Sequence, residues 1–301
     1  MSTPETNPLV QLSDGLADAV AKAGASTVLV AARRRIPASG VAWSADVVVT
    51  ADHVIEDDEN IVIGLPDGRE AKATLAGRDP GSDLAVLRVE GGGLAPAERA
   101  HVVRPGHLVL AVGRPGRGEP MASFGVVSTV GGPWRTFRGG QVEGYIRSDT
   151  TFFPGFSGGP LVTAAGQVAG INSSRLWRGS GLTIPVAAAE PIVEALLSGG
   201  RLRRGYLGIG SQATRLPEAL AAKAGGQASG LLIVGVEPGS PADQAGLLVG
   251  DILVRMGESA IAETDDLQAV LGPQSVGKPT PAHILRGGEP VALTVTVGER
   301  Q

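Results

Sequence analysis

The hydrophobic pattern changes character twice along the chain. Over residues 8–23 apolar side chains recur at helical spacing and predict a short amphipathic helix; these are Leu9, Leu12, Leu16, Val20 and Ala21. From residue 25 to about residue 187 short β-branched runs follow one another, separated by turn sequences such as PDGR and DPGSD. This second pattern predicts roughly a dozen strands in an all-β sandwich or a pair of barrels.

The C-terminal third has a mixed pattern after a glycine- and arginine-rich stretch, SGGRLRRG, which we interpret as a linker. We expect a strand (GLLIVGVE), a short helix capped by Ser240, a strand (DILVRMG), a helix capped by Thr264 and a hairpin turning at Gly287–Gly288. The predicted organisation is an N-terminal extension (1–24), a β domain (25–198), a linker (199–204) and a small α+β domain (205–299).

Composition narrows the functional classes. The 301 residues are 43% hydrophobic, which is enough for two folded domains, and the net charge is −4. The densest basic run, Arg33 to Arg35, is short and predicts a solvated edge, so we expect no nucleic-acid partner. The chain has no cysteine, which excludes disulfides, thiolate metal sites and a cysteine nucleophile. We expect no cofactor and no metal.

The N-terminal sequence lacks a basic segment followed by a continuous apolar core, so it does not read as a signal peptide. The longest apolar runs, such as STVLVAA, are far shorter than a transmembrane helix requires. As written, the sequence predicts a cytoplasmic protein without a transmembrane segment.

One serine stands in a bare, glycine-rich stretch, PGFSGGPLV, at residues 154–162. A serine hydroxyl is a weak nucleophile, so it needs a neighbouring base and hydrogen-bond donors aimed at the oxyanion that forms. Glycines allow backbone N–H groups to converge without side-chain clashes. The loop can therefore aim the amides of Gly155 and Ser157 at one oxygen.

The same residues fit G-x-S-x-G, the nucleophile elbow of α/β-hydrolases. That elbow opens a helix, whereas GGPLVTAAGQVAG predicts strand, turn and strand. The hydrolase order also requires a histidine after the serine, and here only His283 in the second module follows it. An esterase of this class is therefore the less favoured hypothesis.

The opposite chain order is better supported. His53 follows an apolar strand in VVVTADHVI, and Asp83 precedes the apolar strand of DPGSDLAVLRV, where a buried carboxylate needs a partner such as an imidazole N–H. The order His53, Asp83, Ser157 is that of the chymotrypsin-like triad. We interpret the other candidates as solvated or turn residues: His101, His107, Asp52, Asp57, Asp58 and Asp79.

With these residues the chain resembles the HtrA (Deg) serine proteases of the chymotrypsin-like class with one PDZ domain. The resemblance is carried by TADHVI, DGREAKATLAGRDPGSDLAVLRV, IRSDTTFFPGFSGGPLV, GQVAGINSS and GLTIPV. It implies a mainly β fold of two six-stranded barrels followed by an α+β PDZ domain. It further implies that His53 is the base, Asp83 orients it, Ser157 attacks the peptide, and the amides of Gly155, Phe156 and Ser157 form the oxyanion hole.

The chain departs from this family at Phe156, where the family usually has asparagine, and its bulk is expected to alter the loop or block part of the cleft. The resemblance places Phe152, Ile171, Leu182 and Ile184 at the substrate pocket. Phe152 is expected to narrow that pocket and to favour a small or medium apolar P1 residue.

In the second module GYLGIG resembles the carboxylate-binding loop of a PDZ domain. The resemblance implies that Tyr206, Leu207, Gly208 and Ile209 bind the free apolar C-terminus of a peptide as an added strand, with Leu267 and Val270 lining the pocket. It also implies a homotrimer, although the aromatic residues that commonly form it are missing before Trp43. Most relatives act in the cell envelope.

Two hypotheses for the whole chain remain. The first is an ATP-independent endopeptidase of unfolded or signalling proteins, modulated by the PDZ domain; the chain has no P-loop, and the loop at 131–144 with Trp134, Arg135 and Arg138 is a candidate sensor. The second is a catalytically weak or inactive PDZ scaffold, which only Phe156 favours.

Overall fold

The computed structural model describes residues 7–34, 36–135, 141–177, 181–199 and 205–299. The chain divides into two compact units, one ending at Leu202 and the other beginning at Arg203. The predicted linker falls at this division, and residues 200–204 lie outside the described residues. The predicted domain boundaries stay a prediction.

Six antiparallel strands form a closed barrel in the first half of unit one. They are β1 (Thr27–Ala31), β2 (Ala38–Ala42), β3 (Val47–Ala51), β4 (Ile61–Gly64), β5 (Glu70–Asp79) and β6 (Leu84–Val89). Around the barrel they run in the order β1-β2-β3-β6-β5-β4. A single turn of 3₁₀ helix, Asp52–Val54, follows β3 at the rim of the barrel.

A second closed barrel follows, with strand order β11-β14-β13-β12-β7-β8. Its strands are β7 (Leu108–Gly113), β8 (Met121–Gly131), β11 (Tyr145–Ser148), β12 (Pro160–Thr163), β13 (Val168–Ser173) and β14 (Leu182–Pro185). Two short strands, β9 (Trp134–Arg135) and β10 (Gln141–Val142), pair with each other outside the barrel.

Two helices flank the barrels. Helix α1 (Pro8–Gly24) is capped at its N-terminus by Asn7, whose side chain accepts a hydrogen bond from Leu9 N at 3.0 Å. Helix α2 (Val186–Gly199) follows β14. One apolar cluster fills each barrel, and a third joins residues of both barrels to the two helices. The three consecutive valines of β3 are all buried because the strand has core on both faces: Val48 belongs to the first cluster, whereas Val47 and Val49 belong to the joining cluster.

Unit two is a small sheet with short helices. Its strands are β15 (Gly205–Tyr206), β16 (Ile209–Arg215), β17 (Ser229–Val236), β18 (Ile252–Met256), β19 (Ser259–Ala260), β20 (Pro279–Arg286), β21 (Glu289–Thr296) and β22 (Gly298–Glu299). Its helices are α3 (Glu218–Lys223), α4 (Pro241–Gln244) and α5 (Thr264–Val270). The main sheet has the order β16-β17-β18-β20-β21, so β16 is an edge strand.

The predicted fold class is confirmed: the chain is mainly β, with two six-stranded barrels before a small sheet domain. Ser240 caps α4 as predicted, with its hydroxyl accepting from Asp243 N at 3.2 Å. The prediction of Thr264 as a cap is wrong, because Thr264 is already the first residue of α5. The preceding residue, Glu263, is the cap, and its N–H donates to Asp266 Oδ2 at 2.9 Å.

Within the described ranges, no helix combines the length and the apolar character needed to cross a membrane.

Candidate active site

A histidine and an aspartate meet at the rim of the first barrel. His53 lies in the 3₁₀ turn after β3, and Asp83 immediately precedes β6, the partner of β3 in the barrel. His53 Nδ1 lies 2.8 Å from Asp83 Oδ2 and 3.0 Å from Oδ1. Because a carboxylate only accepts, this contact fixes the imidazole with its proton on Nδ1 and leaves Nε2 as the basic nitrogen.

The Asp83 carboxylate has further donors. It accepts from the backbone N–H of His53 at 3.0 Å and from the Ser173 hydroxyl in a short hydrogen bond. Asp83 is 3% exposed, so these donors replace the water that a buried carboxylate loses. The sequence analysis did not identify Ser173, which comes from β13 of the second barrel and therefore ties the two barrels together at this site.

Asp83 also has an unusual backbone. Its φ of 58° lies in the left-handed region, where it is the only non-glycine residue within the described ranges. Such a conformation costs free energy for a residue with a side chain and is found where the surrounding structure holds it in place. The backbone therefore turns so that the carboxylate faces His53 and Ser173.

Ser157 lies between β11 and β12 and is 7% exposed. Its Oγ is 2.9 Å from the Oγ of Ser174 and accepts from Ser174 N at 3.3 Å. Neither of its hydrogen bonds within the described chain is to His53. The structure thus brings His53 and Asp83 together, whereas the Ser157 hydroxyl is turned toward Ser174, a residue that the sequence analysis missed.

The backbone of the serine loop contains two unused donors. Gly155 has φ 90°, and the N–H groups of Gly155 and Ser157 donate no hydrogen bond within the described part of the chain. The third predicted donor differs, because Phe156 N donates to Phe153 O at 3.0 Å. Two of the three predicted oxyanion donors are therefore available together, and the amide of Phe156 is committed to a turn.

Ser39 of β2 links this loop to the first barrel. Its N–H donates to Ser157 O at 3.1 Å, its hydroxyl donates to Gly155 O at 2.7 Å, and its Oγ accepts from Arg114 N at 2.8 Å. Gly158 follows Ser157 with φ 84°, and a Cβ there would lie 2.1 Å from Thr50 Oγ1. Only glycine fits where the loop meets the first barrel.

The chain matches a model of the trypsin-like peptidase domain over residues 38–171 and a model of the PDZ domain over residues 205–297. A solved structure titled HtrA-type protease AlgW with tripeptide is 30% identical, with a TM-score of 0.75, over 95% of this chain and 97% of that one. The serine endoprotease of Yersinia pestis is 29% identical, with a TM-score of 0.76, over 100% of both chains.

The chain belongs to the HtrA family of serine proteases. A curated relative named a probable periplasmic serine endoprotease, DegP-like, from Ectopseudomonas mendocina (strain ymp) is 34% identical over 269 residues, which is 86% of this chain. The match covers 56% of that relative, so the chain spans about half the length of the curated relatives it matches. The relatives are named periplasmic, and the expectation of a cytoplasmic location is therefore not supported.

A peptidase domain precedes a PDZ domain in this chain, and both were predicted from the sequence. The predicted pocket of the peptidase domain needs correction. Ile171, Leu182 and Ile184 are at most 2% exposed and belong to the cluster that joins the barrels to α2, so they are core residues. Ile171 pairs with Ile184 across β13 and β14.

The neighbouring pair, Asn172 and Thr183, points to the opposite face of the same strands. Thr183 Oγ1 donates to Asn172 Oδ1 at 2.8 Å, while Asn172 Nδ2 is buried without a hydrogen-bond partner in the described structure. Phe152 lies beside this face, because a Cβ on Gly181 would come 2.1 Å from its ring. Of the four predicted pocket residues, only Phe152 is partly exposed.

Phe156 does not lie in the cleft. Its side chain is fully buried in the cluster that fills the second barrel, so the expectation that its bulk blocks substrate is wrong.

One other predicted role changes. Asp52, expected to be solvated, is 1% exposed, and Arg78 Nε donates to its Oδ1 at 2.6 Å. His101, His107 and His283 are not part of the site: His283 is an exposed residue of β20, and His107 lies near Arg104.

The predicted PDZ residues lie at the edge of the sheet. Leu207 and Gly208 precede edge strand β16, and their N–H groups donate no hydrogen bond within the described part of unit two. Tyr206 and Ile209 are half-buried, and Tyr206 Oη donates to Glu237 in a short hydrogen bond. Helix α5 lies against β16 and contributes buried Leu267 and half-buried Val270.

Proposed function

We propose that the chain is an ATP-independent endopeptidase in which Ser157 attacks the peptide carbonyl. The observation that carries this proposal is the hydrogen-bonded pair of His53 and Asp83 at the rim of the first barrel, together with a loop of the second barrel in which the amides of Gly155 and Ser157 donate no hydrogen bond within the described residues. This is the set of groups that acyl transfer by serine requires.

In the proposed reaction His53 Nε2 takes the proton of Ser157 as the hydroxyl adds to the carbonyl. Asp83 keeps the imidazole in the correct tautomer and stabilises the imidazolium that forms. The amides of Gly155 and Ser157 donate to the oxyanion, and His53 then passes its proton to the leaving amine. Water releases the acyl group by the same steps.

This reaction requires Ser157 to leave Ser174 first. With its Oγ 2.9 Å from the Oγ of Ser174, the Ser157 hydroxyl is hydrogen-bonded to another serine and not to the imidazole. Rotation about the Cα–Cβ bond of Ser157 is the smallest movement that redirects it, and side-chain rotation of this kind is fast.

We propose that Phe152 sets substrate preference. Its ring lies against Gly181 beside the face of β13 and β14 that carries Asn172 and Thr183. A ring in this place narrows the pocket and favours a small or medium apolar P1 side chain, in unfolded proteins whose backbone can enter the cleft.

The PDZ domain is proposed to bind the free apolar C-terminus of a peptide and thereby to modulate cleavage. Support comes from the edge position of β16, the unused amides of Leu207 and Gly208, and the apolar residues of α5 beside them. An added strand would complete the edge while the amides hold the carboxylate. In the predicted sensor loop Trp134 packs on Trp177 at 6.1 Å, and Arg138 lies outside the described residues.

The remaining family features are also proposals. The relatives are named periplasmic, which supports action in the cell envelope, and fractionation of the native organism would test it. A homotrimer is supported by the exposed apolar residues Leu9 and Leu12 on α1, which are 73% and 46% exposed. Sedimentation equilibrium of wild type and of a Leu9→Ser/Leu12→Ser variant would test the assembly.

The decisive experiment is digestion of unfolded β-casein by wild type and by Ser157→Ala, each with and without a peptide that ends in an apolar residue with a free carboxylate. We expect cleavage only by wild type and faster cleavage with peptide. Peptide amidated at its C-terminus is the matched control, since it lacks the carboxylate. If both proteins bind the peptide and neither cleaves casein, the chain is a PDZ scaffold and the proposed catalysis is wrong.

A further inference from the structure

The residue before the nucleophile is one of the most deeply buried side chains of the second barrel. Phe156 is 0% exposed and belongs to a core cluster with residues of five strands, β7, β8, β11, β12 and β13, among them Val109, Ile146 and Leu161. The ring of Phe153 meets it edge to face at a centroid distance of 5.3 Å. A residue in the middle of a loop is thus anchored in a core.

The core is shaped around this ring. Gly113, the last residue of β7, lies directly against it, and a Cβ at position 113 would come 2.6 Å from Phe156 Cδ1. No real Cβ contact is that short, so the ring fits only because residue 113 has no side chain.

The two unused amides stand on either side of this anchor. Gly155 N and Ser157 N belong to the peptide groups next to the one that Phe156 N donates from, and that middle amide is fixed on Phe153 O at 3.0 Å. The carbonyl of Phe156 is also fixed, since it accepts from Gly159 N at 2.9 Å. With both polar groups of residue 156 occupied and its ring buried, the orientation of the neighbouring amides follows from where the ring sits.

We propose that Phe156 is a positioning residue, whose buried ring holds the amides of Gly155 and Ser157 in the direction of the oxyanion. The proposal rests on the function proposed above and adds the means by which the loop is held.

The test displaces the Phe156 ring without changing the sequence of the serine loop, by substituting a residue of β7. Gly113→Ala introduces a methyl group where the ring lies and alters no atom of the loop. Phe156→Leu shortens the anchor, and the double variant restores space for the methyl group. Ile63→Val, in the separate core of the first barrel, is the control for general loss of stability.

We expect Gly113→Ala to lower kcat on a peptide substrate by about tenfold to a hundredfold with KM changed less than about twofold, because a misdirected oxyanion donor affects the transition state. Amide hydrogen exchange of residues 155–159 should accelerate. The double variant should recover most of the kcat lost in Gly113→Ala, which a merely structural defect would not allow.

Two results would overturn the proposal. One is that Gly113→Ala and Phe156→Leu have the same kcat, and the same rate of hydrogen exchange in the serine loop, as wild type. The other is an equal fall of kcat in Ile63→Val at an equal fall of melting temperature. Should Gly113→Ala fail to fold, Phe156→Leu and Phe156→Asn give the same comparison. Hydrogen exchange measures the effect of the Phe156 ring on the serine loop even if wild type proves inactive. A failure of this proposal can therefore be distinguished from a failure of the proposed catalysis.

Discussion

Among single residues, Ser174 has the most direct influence on the proposed nucleophile. It contacts Ser157 Oγ through both its hydroxyl and its backbone N–H, at 2.9 and 3.3 Å. The neighbouring serine has a different role, because Ser173 donates to Asp83. The two adjacent serines at the end of β13 therefore contact different members of the proposed triad.

Replacing Ser174 by alanine should increase the rate at which a fluorophosphonate labels Ser157. A hydrogen bond between neutral groups contributes about 1 kcal/mol, so its loss frees the nucleophile by about fivefold. Ser174→Thr keeps a hydroxyl and is the matched control, with a rate close to wild type. A rate for Ser174→Ala at or below that of wild type would show that Ser174 does not restrain Ser157.

Phe152→Ala should broaden the substrate pocket. Removal of the ring leaves space against Gly181, so the ratio of kcat/KM for a phenylalanine P1 residue over a valine P1 residue should rise about tenfold or more. Matched peptides that differ only at P1 give this ratio. Phe124→Ala removes an exposed ring from β8 and should leave the ratio unchanged. No change in Phe152→Ala would place the pocket elsewhere.

At the scale of elements, the sequence predicted most of the barrels because short apolar runs and turn residues mark strands directly. The sequence did not predict which face of a strand each side chain lies on. Ile171 and Ile184 were assigned to the pocket, but β13 and β14 are covered on both faces, so apolar residues alone do not tell the pocket face from the core. Asp52 was interpreted as solvated because it is next to His53 in a polar turn, and its partner, Arg78, is distant in sequence. The contacts of Ser39 and Ser174 could not be predicted either, because their partners are distant in sequence and meet them only in the folded barrels.

Arg114 joins three elements at the end of β7. Its guanidinium donates to the carbonyls of Thr27, Gly24 and Gly118 at 2.8, 2.9 and 2.5 Å, and its burial lowers the pKa of this arginine below its ordinary value. Gly24 ends α1, where a cation also complements the helix dipole. The arginine therefore fixes the end of α1 against the first barrel.

Arg114→Ala should lower the free energy of unfolding by about 2–3 kcal/mol, because it leaves buried carbonyls without donors. Urea denaturation of the full chain measures this difference. Arg117→Ala, which removes an exposed arginine paired with Glu70, should cost less than about 1 kcal/mol. Equal midpoints for the two variants would contradict the role of Arg114.

At the scale of the molecule, the chain comprises two compact units with separate cores. The stability of each unit therefore depends on pH through its own titratable groups. In unit two the buried Asp251 is held by Arg286 Nε and Nη2, both at 2.8 Å. Burial by itself would raise the pKa of Asp251, but the hydrogen bonds from Arg286 and from Leu248 N outweigh it and hold that pKa below its usual 3.8.

A lowered pKa means that the carboxylate stabilises unit two above pH 3.8 and that this contribution is lost as the pH falls through the folded-state value. Asp251→Asn should therefore be less stable than wild type at pH 7, and the difference should shrink below about pH 4. Hydrogen exchange of β18 and β20 in the full chain measures it. Glu289→Gln, at an exposed pair with Lys223, should show little difference at either pH. A difference that is constant across this range would contradict the assignment.

The fit of Gly158 against Thr50 and Ser39 has a consequence for recombination between relatives. The serine loop belongs to the second barrel, but the residues that leave room for it belong to the first. A chimera that joins one relative's first barrel to another's second barrel is therefore expected to keep the serine loop in place only when the two parents have compatible residues where the barrels meet. Exchanging single strands is harder still, because Ser39 lies on β2 and Thr50 lies on β3, and both contact the serine loop at Gly158.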